Sequence, residues 1–139
     1  MADGAVPRFW REIPQRYNLI GNQCQSCKKI YFPPKESCPE CRRKSIGKMK
    51  EIKLSGKGQV VTYTIIHSAP DIFENQVPYP MAIIKLEEGP KITAQIVDCP
   101  PEKVKIKMKV QNTFRKIQED GDIGAIYYGY KFKPLEEKK

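Results

Sequence analysis

Cys24-Gln25-Ser26-Cys27 and Cys38-Pro39-Glu40-Cys41 are the stretches that decide how this chain folds. Together they read C-x2-C-x10-C-x2-C. Each short turn can aim two sulfurs at one centre, and two such turns supply the four ligands of a tetrahedral metal ion. Zinc suits four thiolates, with an iron centre or a redox disulfide pair as the alternatives. A site closed by four cysteines keeps no open coordination position, so it is structural and argues against metal catalysis. The expected ligands are Cys24, Cys27, Cys38 and Cys41, in a ribbon over residues 21–46.

The surrounding residues fit a ribbon. Gly21-Asn22 marks a turn, Ile30-Tyr31-Phe32 reads as a short strand, and Pro33-Pro34 ends it. Lys28, Lys29, Arg42 and Arg43 follow the cysteine pairs. Zinc with four thiolates carries a charge of about −2, so these cations have a structural role available beside it.

Upstream, residues 1–20 form an N-terminal segment whose residues 7–20 predict one or two short helical turns. Phe9, Trp10, Ile13, Tyr17 and Ile20 recur at three- and four-residue intervals, most of them on one face. Pro14 prevents a single long helix. The face either packs on its own chain or docks another protein, since Trp, Tyr, Phe and Arg are enriched in interface hot spots.

Downstream, residues 47–134 have a β texture. Gly56-Lys57-Gly58 reads as a turn. Strands are expected at Gln59–His67, Met81–Leu86 and Lys91–Val97, with Glu87-Glu88-Gly89-Pro90 as a hairpin turn. Lys103–Val110 alternates lysine with apolar residues, the period-two pattern of a half-buried strand continuing toward Ile117. A fifth strand covers Ala125–Phe132, and residues 135–139 are a polar tail. Five strands without a long helix predict a five-stranded OB-fold barrel, with a five-stranded sandwich as the alternative. The fold class is mainly β: N-terminal short helices, a rubredoxin-like zinc ribbon, then the barrel.

The chain holds 139 residues, 25 basic against 16 acidic, for a net charge of +9. This balance suits nucleic acid, an anionic cofactor such as coenzyme A, or an acidic protein, and it is also simply solubilising. No run approaches the roughly 18 apolar residues of a membrane span. Met1–Pro7 lacks a basic region followed by an apolar one, so the expectation is no export and a reducing, cytoplasmic setting.

Other chemistry is thin. Cys99 would need a base, and the lone His67 is the only histidine available to it. Asp71, Glu74, Asp98, Asp120 and Asp122 show no pairing pattern. Neither a P-loop nor a dinucleotide fingerprint is present. An OB-fold that binds single-stranded nucleic acid would use stacking platforms, for which Tyr63, Tyr79, Phe114, Tyr127, Tyr128, Tyr130 and Phe132 are available.

The ordered set of features is distinctive. It runs from Phe9-Trp10 through the ribbon, Gly58-Gln59-Val60-Val61-Thr62-Tyr63-Thr64, Pro78-Tyr79-Pro80 and Leu86-Glu87-Glu88-Gly89. It continues through Ile106-Lys107-Met108-Lys109-Val110 to Phe132-Lys133-Pro134. Over residues 8–134 the chain resembles the zinc-ribbon plus OB-fold proteins associated with acyl-CoA metabolism, a family long catalogued as a domain of unknown function. One position departs: Lys107 stands where the resemblance leads us to expect glycine. The resemblance implies a non-enzymatic scaffold with one structural zinc ion. In archaea the family resembles a bridge between acetoacetyl-CoA thiolase and hydroxymethylglutaryl-CoA synthase, the first two steps of the mevalonate pathway. It also implies contact between the barrel loops and coenzyme A.

Overall fold

The computed structural model describes residues 6–135. The reading of Met1–Ala5 and of the tail beyond Leu135 lies outside the described residues. Two six-residue helices open the chain, α1 (Val6–Arg11) and α2 (Ile13–Asn18). The break falls at Glu12. Pro14 sits in the first turn of α2, where a missing N–H costs nothing. Glu12 ties the pair together, accepting from Arg8 Nε at 3.0 Å and Arg16 Nε at 2.8 Å. Leu19 ends α2 in the left-handed region, at φ 51°, and its side chain is buried in the core.

The aromatic face divides. Phe9 meets Tyr127 edge-on at 4.7 Å and Tyr17 meets Phe114 at 5.0 Å, so these two pack on the barrel. Trp10 points away and stays 71% exposed.

The ribbon sheet has the order β2-β1-β3, from β1 (Ile20–Cys24), β2 (Ile30–Tyr31) and β3 (Met49–Lys53), all antiparallel. Gly21 lets β1 run close to β2: a Cβ there would lie 2.6 Å from the Tyr31 carbonyl oxygen.

The second sheet has five strands: β4 (Lys57–Ile66), β5 (Tyr79–Leu86), β6 (Lys91–Gln95), β7 (Lys109–Glu119) and β8 (Ile126–Pro134). Their order is β6-β5-β4-β7-β8. A parallel bridge from Ile96 to Phe132 and the bond from Val97 N–H to Phe132 O (2.7 Å) join the two outer strands. The sheet thereby closes into the OB-fold barrel. Alternation selects the core: Ala82, Ile84 and Leu86 on β5 are buried while Ile83 and Lys85 are exposed. Gly56, at φ 73°, makes the turn before β4, and Gly58 already belongs to the strand.

One expected strand is different. Residues 103–108 form no strand: Pro101–Lys103 make a 3-10 turn, and a second turn closes with Met108 N–H to Lys105 O at 3.2 Å. Val104 is buried, but Ile106 faces solvent at 59% exposure. The lysine–apolar alternation is therefore not a two-sided strand: Lys107 N–H and Met108 O bond to Val60 from the turn, and the strand itself begins at Lys109. Lys107 takes φ 68°, the left-handed conformation that glycine adopts most easily.

Candidate functional site: a four-cysteine centre and a basic cleft

The two cysteine turns are built alike. Lys28 N–H donates to Cys24 O at 2.8 Å, and Arg42 N–H donates to Cys38 O at 2.8 Å. In each, the residue after the second cysteine is left-handed: Lys28 at φ 63° and Arg42 at φ 49°. This repeated backbone curls both cysteines of a pair toward one point. The four sulfurs lie within 4.8 Å of one another, with Cys27 and Cys38 at 3.5 Å and Cys24 and Cys41 at 3.9 Å. Zinc–sulfur bonds of about 2.3 Å in a tetrahedron put the sulfurs about 3.8 Å apart, so these cysteines stand in a metal-binding arrangement.

The surroundings prepare thiolates. The Tyr31 hydroxyl lies 3.2 Å from Cys38 Sγ. That donor, with the N–H groups of Cys41 and Glu40, brings the Cys38 thiol down to about 6, and the Cys27 N–H lowers Cys24. Cys41 is pushed up to about 12 by the neighbouring Cys27 thiol and by burial. A cluster that cannot ionise all its sulfurs unaided is what a divalent cation relieves. Cys38 N–H also donates to the buried Ser45 Oγ (2.8 Å), which in turn donates to Arg42 O (2.6 Å), fixing the second turn. Asn22 grips the backbone of Lys35 through both its amide nitrogen and oxygen.

The basic residues do something other than ring the centre. Lys29 pairs with Glu40, joining the two turns across the ribbon. The backbone conformations of Lys28 and Arg42 matter as much as their charges.

Beside the ribbon, α1, α2 and the barrel enclose a cleft of about 500 Å³. Phe32 and Phe73 contribute to its walls, with Tyr79, Met81 and Tyr130 from the strands; Arg8, Arg16 and Lys131 bring positive charge. Its buried lysine was not foreseeable from a strand reading Tyr-Lys-Phe-Lys.

Other candidates separate. Cys99 packs against the core and its Sγ donates to Pro100 O at 3.4 Å; burial pushes its thiol up, and no hydrogen bond joins it to the exposed His67 among the described residues. Asp98 pairs with Arg115 at 3.0 Å. Phe132 fills the core, Tyr127 lies under Phe9, Tyr130 packs on Phe32, and Phe114 stacks on Tyr128 at 5.2 Å. Most of the presumed stacking platforms thus support the fold.

These features define a zinc ribbon carried on an OB-fold barrel. The family description "ChsH2, rubredoxin-like zinc ribbon domain" matches residues 11–47, and "ChsH2, C-terminal OB-fold domain" matches residues 51–115. A DUF35 domain-containing scaffold protein of Methanocaldococcus jannaschii is 58% identical over 136 residues, covering 98% of this chain and 95% of the relative. One of Methanothermobacter thermautotrophicus is 50% identical, covering 91% and 94%. Among solved structures, the one titled "Ltp2-ChsH2(DUF35) aldolase" superposes with a TM-score of 0.69 at 27% identity, covering 96% of this chain and 98% of that one. The chain belongs to the DUF35 family. No helix among the described residues is long and apolar enough to cross a membrane.

Proposed function

We propose that this protein is a non-catalytic cytoplasmic scaffold that bridges acetoacetyl-CoA thiolase and hydroxymethylglutaryl-CoA synthase. The observation that carries the reading is the likeness, over nearly the whole chain, to relatives named as scaffold proteins. The closed four-sulfur cluster supports it from the chemical side, because it keeps no position for a substrate. Cys24, Cys27, Cys38 and Cys41 hold one zinc ion, which fastens the ribbon beside the barrel. Trp10, exposed on α1, is an anchor of the kind that protein interfaces bury. The excess of basic residues suits contact between the barrel loops and the phosphates of coenzyme A.

Condensing two acetyl-CoA molecules is uphill, so handing the product directly to the next enzyme draws the first reaction forward. The test is co-purification from the source cell. The expected result is a complex of fixed ratio containing both enzymes and this chain. A native mass showing only free monomer at cellular concentration would refute the reading.

A further inference from the structure

Lys131 lies on β8 next to the core residue Phe132 and keeps only 6% of its surface exposed. Its ammonium carries three N–H donors. Among the described residues one acceptor meets it: Gln76 Oε1, at 3.3 Å. That oxygen also accepts from Gln95 Nε2 at 3.3 Å. No described carboxylate pairs with Lys131; the acids nearby serve other cations, Glu12 taking Arg8 and Arg16, and Asp98 taking Arg115. Burial, and after it the charge of Arg115, pushes the ammonium's pKa down. A buried cation without an anion is costly to keep. Strands that need only to pack would place an apolar residue here.

The lysine is also placed where a ligand can reach it. It lines the cleft of about 500 Å³, a volume in the range of small-molecule sites. Phe32, Phe73, Met81 and Tyr130 make the walls largely apolar. The charges along the walls are three cations against one carboxylate, Glu12.

We propose that this cleft binds a small organic acid: an apolar body lies along the aromatic walls and its carboxylate is received by Lys131. A phosphate is held best by several converging donors, such as successive backbone N–H groups or a free arginine fork. Both arginines of the cleft are already held by Glu12, and the buried donor is a single ammonium. One carboxylate meets the N–H groups that Gln76 leaves unmatched and neutralises the charge. This site goes beyond the scaffold reading, and the isolated zinc-loaded chain is enough to test it.

The experiment titrates isotope-labelled full-length protein by NMR at fixed ionic strength. The probes are benzoate, 3-phenylpropionate and hexanoate, each beside its neutral primary amide. The expected result is that at least one acid saturates the protein at least tenfold more tightly than its amide, with shifts centred on Lys131, Phe73 and Tyr130. In Lys131→Met, an apolar side chain of similar length, acid and amide should bind alike. The proposal fails if no acid saturates, if acids and amides bind equally to the unaltered protein, or if Lys131→Met keeps the preference. The comparison on the unaltered protein needs no variant, so it stands even if the substitution impairs folding.

Discussion

Replacing Lys107 with glycine should make this protein more stable, although the side chain removed is exposed. Lys107 is exposed and sits at φ 68° in the turn between Val104 and β7. Its own backbone groups are what anchor it: its N–H donates to Val60 O at 2.8 Å, and its carbonyl accepts from the Gln59 side-chain Nε2 at 2.9 Å. Glycine keeps both bonds. An L residue in the left-handed region costs roughly 1–2 kcal/mol through the contact of its Cβ with the following carbonyl. Against that gain, glycine loses roughly 0.5–1 kcal/mol more chain entropy on folding. The net is a stabilisation centred at about 0.7 kcal/mol, within a span of about 0–1.5 kcal/mol. For a barrel of this size it corresponds to a rise in Tm of about 2–6 °C. Thermal unfolding of the zinc-loaded chain, followed by circular dichroism, measures it. Lys105→Gly is the control: Lys105 is exposed and outside the left-handed region, so the same substitution should lower stability. A Tm for Lys107→Gly at or below that of the unaltered protein would refute the reasoning, as would an equal effect at both positions.

Three further outcomes are expected. Tyr31→Phe removes the donor that lowers the Cys38 thiol to about 6. Thiolate stabilisation is present above the ordinary thiol pKa and is lost as pH falls through the folded value. Raising that value lets protons displace the metal at higher pH, and a metal-release titration showing an unchanged midpoint would contradict this. Gly58→Ala places a methyl 2.6 Å from the Lys85 carbonyl oxygen, between paired strands, and should cost about 1–3 kcal/mol in a denaturant titration; no loss would mean that β4 can move from β5. Trp10→Ala should leave stability within about 0.5 kcal/mol. If α1 is a docking element, the same variant weakens partner binding by more than about 1 kcal/mol, measured by calorimetry; unchanged affinity would remove Trp10 from the interface.

The parts legible in the sequence were those where chemistry fixes spacing. Two C-x2-C turns bring their four sulfurs to one place, and β-branched runs such as Val60-Val61-Thr62 must find strand neighbours. The Lys103–Val110 alternation failed because period two records only which residues are apolar. Nothing in it reveals that Ile106 is left exposed by a turn, or that Lys107 adopts a conformation usually reserved for glycine. The ribbon strands β1 and β3 are hidden for the opposite reason: Ile-Gly-Asn-Gln-Cys and Met-Lys-Glu-Ile-Lys carry almost no β signature, and they are extended because β1 pairs with both β2 and β3. Similarly, the left-handed Lys28 and Arg42 carry no glycine to announce them, and their basic charges suggested a purely electrostatic role. The cleft was invisible because its walls come from helix, ribbon, turn and barrel, and a lysine between Tyr130 and Phe132 reads as a solvated one until those parts assemble.

The position of β8 has a consequence for how the chain is made. This strand pairs with β7 and closes the barrel beside β6 through Phe132. It also receives Phe9 on Tyr127 and the ribbon's Phe32 on Tyr130. Of the barrel's described strands it is the last to leave the ribosome, since synthesis proceeds from the N-terminus. The ribbon can take up its metal once Lys53 has emerged, since all four cysteines and all three of its strands precede that point. The helices must wait, with their aromatic faces uncovered, until Pro134 has been added. During synthesis the ribbon can therefore hold its metal in an otherwise unclosed chain while Phe32 still waits for Tyr130, and the barrel, the cleft and the seating of Phe9 form together when β8 arrives.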